Sequence, residues 1–318
     1  MSVRDVQRLI RAVHQDDDEG VFALITKGVD VNEAECVPED SSQFFDDRRR
    51  PPLCSVNCTE KGLEICGLLI AARANVNYSD DKTQTLLHAM AAHQQPDIAL
   101  RIARLLIAAG AHVNNDDGDT GNSPLINAID EGNLPFAKLL LECKADVNYA
   151  ISDPNMDLGF TAIFCVHSAE AVALLMRYGA NIEALGTEEE SLVTPLIHIF
   201  ERWHNVGPND TDVEFHPELV KALINHGANV RAQRTGDGAN GLHCMAIGAH
   251  IPWGGAEIAE MLLGGGLDVN QVNSRGYTVR TVFLVMPCAT CAVLCLYLCV
   301  PTYKRGFMFV LLGGAGIQ

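Results

Sequence analysis

The chain has 318 residues, of which 48% are hydrophobic and 20% are charged, a balance typical of an ordered protein with a core rather than of a disordered one. The formal net charge is −17 and is unevenly placed: residues 1–277 hold 20 basic residues against all 40 acidic ones, a net charge of −20, whereas residues 278–318 hold three basic residues. An acidic body repels phosphate backbones, which argues against a nucleic-acid partner and favours a basic partner surface.

Taken from the amino terminus, the chain repeats one phrase in which two apolar residues precede a short turn and then Val-Asn or a close variant. In its clearest form the phrase reads Leu-Ile-Ala-Ala-Gly-Ala-His-Val-Asn, over residues 106–114. Seven copies close near positions 32, 77, 114, 148, 183, 231 and 270. Neighbouring closes lie 34 or more residues apart, so each repeat is expected to be a module of about 33 residues with insertions of differing length.

A second phrase opens the repeats and predicts the start of a helix. It reads Ser-Pro-Leu-Ile-Asn-Ala over residues 123–128 and Thr-Leu-Leu-His over residues 85–88. Ser or Thr at its start is an N-cap residue, and Pro fits the first helical position. Behind the second helix of a repeat, a glycine such as Gly110 suits a left-handed C-cap. Arg73 and Lys144 take that position in two repeats, at a cost of about 1 kcal/mol each.

Together the opening and closing phrases resemble the ankyrin repeat family, whose repeats open with Thr-Pro-Leu-His-x-Ala and close with Leu-Leu-x-x-Gly-Ala-x-Val-Asn. The resemblance covers roughly residues 4–278. It implies an all-α ankyrin repeat solenoid of about seven helix-turn-helix repeats joined by hairpin loops. We therefore predict a repeat array over residues 1–277 and a hydrophobic C-terminal tail over residues 278–318.

The pattern stops in the middle of an eighth opening phrase. After Thr278 the expected Pro-Leu-His is Val279-Arg280-Thr281, and residues 281–300 are uncharged and mostly apolar. The length of this run fits a single membrane-spanning helix, which would anchor the chain by its tail. A C-terminal cap fits poorly because a cap needs a polar outer face. The third interpretation is an unspliced or alternative end of the gene, and the sequence leaves it open beside the membrane-spanning helix.

Motifs for catalysis or metal binding are missing from the sequence. No phosphate loop, nucleophile elbow or His-Glu-x-x-His motif occurs. Cys288-x-x-Cys291 is half of a zinc knuckle, but it lies in the apolar run, where cysteine serves as a small hydrophobic residue. An acidic loop from Asp117 has Ala128 where a calcium loop needs Glu. We therefore predict no catalytic residue, no cofactor and no metal site, and a protein that is not an enzyme.

The resemblance implies a binding face, concave and built from the hairpin tips and the first helix of each repeat. The central tips are expected at residues 78–84, 115–122, 149–160, 184–193 and 232–240. The first four carry acidic residues and the fifth mixes Arg234 with Asp237, so the tips are expected to form an acidic stripe. Ordinary surface charge that keeps the protein soluble is the other interpretation. The predicted protein-binding residues are Asp80, Asp81, Asp116, Asp117, Asp119, Asp153, Asp157, Glu188, Glu189 and Glu190 on the tips, and Met90, His93, Asp130, Glu131, Glu201 and Arg202 on the first helices.

Two functions follow as hypotheses. The first is a protein-interaction scaffold or adaptor that binds a basic segment of another protein on this acidic face. The alternative is a tail-anchored protein, with its repeat body in the cytoplasm, that recruits partners to a membrane. No signal-peptide pattern follows Met1, and the 11 cysteines are scattered, so the first hypothesis predicts a cytoplasmic or nuclear protein with reduced thiols.

Overall fold

A computed structural model gives the fold of the chain as two compact units, residues 1–156 and residues 157–318. Its regular elements are almost entirely helical, as predicted. Most of the predicted tail, including residues 281–300, lies outside the described part of the chain, so its boundary and its nature stay predictions. The structure describes residues 3–35, 50–78, 84–93, 96–117, 120–151, 159–188, 191–204, 217–247 and 255–279.

The first unit is built from helical pairs, each with a short first element and a longer second helix. Its elements in chain order are α1 (Val3–His14), α2 (Asp18–Thr26), a 3₁₀ turn (Pro52–Ser55), α3 (Glu60–Ala71), α4 (Leu86–Ala91), α5 (Pro96–Ala108), α6 (Pro124–Asp130) and α7 (Leu134–Glu142).

The ends of these helices follow from the residues that cap them. Ser123 accepts a hydrogen bond from the amide of Ile126 at the start of α6, which confirms the predicted N-cap. Behind α5, Gly110 adopts φ 92°, the left-handed conformation expected of a C-cap glycine. Arg73 and Lys144 both adopt φ 67° at the same place, so the two predicted non-glycine C-caps are confirmed.

Neighbouring pairs stack with like elements in contact. The first helix α4 packs against α6, while the second helices form the series α3, α5 and α7. Fully buried alanines such as Ala91 and Ala128 let the first helices approach closely, and Ile102, Leu106 and Phe136 fill the space between the second helices. Each pair therefore buries its apolar faces mainly against the pairs before and after it.

The closing asparagines tie each pair to the next one. Asn32 donates from Nδ2 to the carbonyl of Arg73 at 3.1 Å and accepts from the amide of Asn75 at 2.6 Å. Asn77 makes the same two bonds to Gly110 and His112, at 2.9 Å and 2.7 Å. The closing position is thus a latch between successive turns, because one amide side chain satisfies a carbonyl and an N–H of the following pair.

The second unit repeats this arrangement with different insertions. Its elements in chain order are a 3₁₀ turn (Ala162–Phe164), α8 (Ala169–Arg177), β1 (Gly186–Glu188), β2 (Ser191–Val193), α9 (Pro195–His204), α10 (Pro217–Asn225), α11 (Gly241–Ile247) and α12 (Gly255–Gly264). The 3₁₀ turn packs against α8, and like elements again meet, with α9 against α11 and α10 against both α8 and α12. The two strands form a hairpin between α8 and α9.

Two of the predicted first helices are reduced to a single 3₁₀ turn. The N-caps Ser123 and Asn133 of the pair α6–α7 are ten residues apart, whereas Thr161 and Ser168 are seven apart. Three fewer residues leave out almost one helical turn. The spacing of the closing positions does not reveal this shortening, because the hairpin before Thr161 is longer by a similar amount.

Candidate functional site

The tip between α5 and α6 is organised around a buried carboxylate. Asp117 is 0% exposed and accepts hydrogen bonds from the amides of Thr120 and Gly121, at 2.8 Å and 2.9 Å. The Thr120 hydroxyl donates a further bond at 2.6 Å. Asp117 was predicted to contact a partner. Because its side chain is buried and hydrogen-bonded within the tip, we remove it from the predicted surface.

His88 joins the start of α4 to the same tip. Its Nε2 donates to the carbonyl of Asn115 at 3.0 Å, which leaves Nδ1 to accept from the Thr85 hydroxyl at 2.8 Å. Burial lowers the pKa of His88, although the bond to Asn115 and the negative charge of Asp117 oppose that shift. The imidazole therefore serves as a neutral structural brace between α4 and the tip.

The exposed carboxylates of this face gather at the carboxyl end of α6. Asp130 is the last helical residue and Glu131 is the C-cap, and both side chains are exposed. The Asn133 side chain donates to the carbonyl of Ala91 at 3.3 Å, which brings this end beside the end of α4, where His93 is half-exposed. These three predicted residues lie on one surface, and Asp116 is exposed on the adjoining tip.

Met90 is the second predicted residue that the structure withdraws from the surface. Its side chain is 3% exposed within α4 and belongs to the core. The sequence places it among small residues on the first helix, and only the packing of α6 against α4 shows which side is covered. The predicted tip residues Asp80, Asp81, Asp119, Asp153, Asp157, Glu189 and Glu190, and the side chain of Glu188, lie outside the described part of the structure.

In the second unit, the acidic residue predicted to be exposed on α9 belongs to a cluster of ion pairs. Glu201 is 6% exposed and lies 2.6 Å from Arg234, which also pairs with Asp237 at 2.6 Å. The hydrogen bond to Asp237 and the charge of Glu201 raise the pKa of Arg234 despite partial burial. Glu201 therefore fixes the tip that carries Arg234 and is removed from the predicted surface, whereas its neighbour Arg202 is exposed as expected.

Two deeply buried cysteines, Cys66 and Cys244, are unsuited to nucleophilic chemistry. Burial raises the pKa of Cys66 and of Cys244 to about 12, and the charge of Glu201 adds to the shift at Cys244. Both are free thiols that stay protonated at neutral pH, which makes them poor nucleophiles. Within the described ranges, no helix has the length and apolar character needed to cross a membrane. The predicted span at 281–300 lies beyond those ranges.

Comparison with known proteins agrees with this architecture. The family model described as ankyrin repeats (3 copies) matches residues 55–151. The chain superposes on the crystal structure of the human ASB11 ankyrin repeat domain with a TM-score of 0.57, over 82% of this chain and 98% of that domain. At 18% identity this likeness shows a shared fold.

A curated relative is the Danio rerio protein named putative palmitoyltransferase ZDHHC13. It is 26% identical to this chain over 242 residues, which amount to 76% of this chain and 32% of the relative. The chain thus spans about a third of the length of the curated relative it matches.

Proposed function

We propose that this chain is an ankyrin repeat scaffold or adaptor that binds a basic segment of another protein, which the family model over residues 55–151 and the shared fold support. Ankyrin repeats generally mediate contacts between proteins. The proposed contact surface of the first unit consists of His93, Asp116, Asp130 and Glu131, which we call the acidic face. Asp80, Asp81 and Asp119 are the neighbouring tip positions that the proposal adds from the sequence.

The observation that carries this proposal is the separation of charges within the first unit. Between Arg104 and Lys138 the sequence has five acidic residues and no lysine or arginine. This stretch forms the tip and the first helix α6. The basic residues on either side belong to the second helices α5 and α7. Acidic side chains therefore predominate over this tip and helix, and their negative charge attracts a basic partner at long range.

The position of Asp130 and Glu131 strengthens the argument. A helix carries partial negative charge at its carboxyl end, so acidic side chains there are destabilising by about 0.3–1 kcal/mol. The last turn of α6 contains no basic residue. A lysine or arginine from a partner would relieve this repulsion, which turns a local cost in stability into binding energy.

The test uses the full chain and a fluorescent Lys/Arg-rich peptide, with a Glu-rich peptide of equal length as the negative probe. Asp130→Asn/Glu131→Gln is compared with Asp97→Asn/Glu142→Gln, which removes two exposed charges from the second helices instead. We expect salt-dependent binding that the first variant weakens about ten-fold and the control leaves unchanged. Equal affinity of both variants for the basic peptide would refute the acidic face as the site.

The tethered alternative rests on the 20 uncharged residues at 281–300, whose length matches a bilayer core. It keeps the same acidic face and adds a fixed location at a membrane. Fractionation of cells that express the full chain separates the alternatives. Retention in the membrane pellet after an alkaline wash supports the tether, and full release supports the untethered cytoplasmic or nuclear protein.

We extend the same repeat beyond the matched residues 55–151, to about seven copies in all. The latch supports this extension, since Glu183 of the second unit accepts from the amide of Asn229 at 2.7 Å, as the closing asparagines do in the first unit. The proposal assigns no catalytic step to the chain. Palmitoyl transfer is the activity named for the relative, and this chain matches a third of it.

A further inference from the structure

The second helices α2 and α3 leave a shallow groove whose lining shares no residue with the acidic face. The groove has a volume of about 560 Å³ and is lined by Asp18, Glu19 and Phe22 of α2 and by Glu64, Gly67 and Leu68 of α3. The spacing of three or four residues puts each trio on one side of its helix. Such an open groove suits a side-chain stripe of a partner helix better than a small molecule, which needs burial on most sides.

The floor of the groove exposes apolar surface. Phe22 is 59% exposed, the largest value among the exposed large hydrophobic residues described in the chain. Within α2, Val21 is the residue that the fold buries, although Phe22, Leu24 and Ile25 follow it. An aromatic side chain left in water on a rigid helix gives a partner a large apolar contact at small cost in side-chain entropy.

Gly67 adds an independent observation. Glycine in the middle of a helix is less stable than alanine there, and a methyl group on Gly67 would meet no heavy atom within 4 Å. Gly62 of the same helix differs, because its methyl group would lie 2.0 Å from the carbonyl of Asn57. The fold therefore requires glycine at position 62 but not at position 67. The absence of a side chain at Gly67 leaves room in the groove for a side chain of a partner.

The rim of the groove is acidic. Asp18 pairs with Lys61 at 2.8 Å, and the exposed carboxylates of Glu19 and Glu64 lie on opposite sides of the groove. Three carboxylates against one ammonium leave a net charge of −2 on the rim. A second copy of this chain would bring the same negative rim against it, so self-association through this groove is disfavoured.

We propose that this groove docks an amphipathic helix of another protein, with one large apolar side chain seated between Phe22 and Gly67 and Lys or Arg residues on both sides facing Glu19 and Glu64. The apolar contact supplies the binding energy, and the charges select the partner and its register. The surface is separate from the acidic face, so the chain could hold two partners at once.

The experiment titrates the full chain into a labelled helical peptide about five turns long, with a Leu/Phe stripe flanked by Lys and Arg, and follows fluorescence anisotropy. A second peptide has Glu at the flanking positions, and a third has Ser along the stripe. The groove variants are Phe22→Ala, Glu19→Gln/Glu64→Gln and Gly67→Leu. The controls are Leu105→Ala, an exposed apolar residue on α5, and Asp97→Asn/Glu142→Gln on the second helices. Asp130→Asn/Glu131→Gln is titrated beside them to measure any binding at the acidic face.

The expected result is binding of the first peptide alone, weakened at least ten-fold by Phe22→Ala and by Gly67→Leu, several-fold by Glu19→Gln/Glu64→Gln, and by neither control. Gly67→Leu is expected to raise the melting temperature or leave it unchanged, which separates a blocked groove from a damaged fold. An effect of Asp130→Asn/Glu131→Gln that matches or exceeds the groove variants overturns the proposal, because the peptide then occupies the acidic face.

Two other occupants would also overturn it. If the wild-type chain binds no peptide but a chain with residues 39–48 replaced by a Gly-Ser linker does, the chain's own insertion fills the groove. If sedimentation shows self-association of the wild-type chain that Phe22→Ala abolishes, the occupant is a second copy. Equal binding by all variants means that the groove has no part in recognition.

Discussion

Two helical pairs hold their first elements in place with opposite chemistry. One is the pair α4–α5 of the first unit, and the other consists of Ala162–Phe164 and α8 in the second unit. Thr85 and His88 are three residues apart, as are Thr161 and Phe164. In the first pair the threonine hydroxyl and the imidazole form a hydrogen-bonded brace. In the second, Phe164 stands where the histidine would, and its ring stacks on Phe160 with centroids 4.3 Å apart.

The aromatic cluster around Phe164 also contains residues that the sequence pattern does not include. His198 meets the ring of Phe160 edge-on at 4.7 Å and that of Phe164 at 5.7 Å. A methyl group on Gly186 would lie 2.1 Å from the Phe160 ring, so glycine is required there. With no imidazole to receive it, the buried hydroxyl of Thr161 has no hydrogen-bond partner among the described residues. The contrast shows that the position three residues after the threonine holds the first element in place, by polar or by apolar means.

The largest expected loss of stability comes from removing the central ring of the aromatic cluster. Phe164→Ala should destabilise the second unit by about 3–5 kcal/mol, because the ring is 1% exposed and its loss leaves a cavity. Both tryptophans, Trp203 and Trp253, belong to the second unit, so urea unfolding followed by tryptophan fluorescence measures it. Phe164→Leu, which refills most of the space, should cost clearly less, and equal losses for both variants would contradict the cavity argument.

Removing the hydrogen-bonded brace of His88 should destabilise the protein less. His88→Ala leaves the Thr85 hydroxyl and the Asn115 carbonyl without their partner, which is worth about 1–3 kcal/mol. The first unit contains no tryptophan, so amide hydrogen exchange in α4 and α6 is the suitable readout. A loss as large as that of Phe164→Ala would show that His88 acts through packing, and the comparison would then have to be redrawn.

The threonines give a matched pair with opposite expectations. Thr85→Val removes a hydroxyl that donates to His88 and should destabilise the first unit by about 1 kcal/mol. Thr161→Val removes a buried hydroxyl without a partner and should be neutral or stabilising. The denaturant midpoints of both variants, measured against that of the wild type, test these two expectations. Two equal losses would mean that the hydroxyl of Thr161 has a partner after all.

The smallest expected effect is the dependence on pH that the His88 brace confers. Burial holds the pKa of His88 below its ordinary value of 6.5, so as pH falls through 6.5 the unfolded state takes up the proton first. The contribution of His88 is therefore complete above 6.5 and is lost as pH falls toward the lower pKa of the folded state.

The measurement is the stability of the wild type relative to His88→Gln, which cannot titrate at this position. Its advantage should be smaller at pH 5.5 than at pH 7.5, and comparing the two chains at each pH removes the shared effect of the many carboxylates. An advantage of histidine that grows as the solution is acidified would show that the imidazole is charged in the folded state.

Much of the fold follows from short phrases in the sequence, because the signals are local. Ser123 caps its own helix and Gly110 takes a positive φ for reasons contained within one turn of chain. The shortened first element after Thr161 carried a local signal too, the early N-cap at Ser168. The spacing between closing positions conceals it, since a longer hairpin compensates for the missing turn.

The surface was harder to predict because burial depends on distant partners. Glu201 is covered by Arg234, which lies 33 residues further along the chain. Asp117 is enclosed by the turn that it organises, and nothing in an acidic stretch distinguishes it from the exposed Asp116 beside it. Binding residues chosen by position on a repeat therefore include structural ones wherever a side chain meets the next repeat.

The asparagine latches also determine how the first unit would respond to tension. Asn32 and Asn77 each grip the main chain of the following pair, between 33 and 43 residues away. A force that pulls the ends of this unit apart loads these grips in series, one turn after another. Such a chain gives way in steps, each releasing roughly 110–150 Å of extended backbone, and each released turn can close again onto the neighbour that still stands.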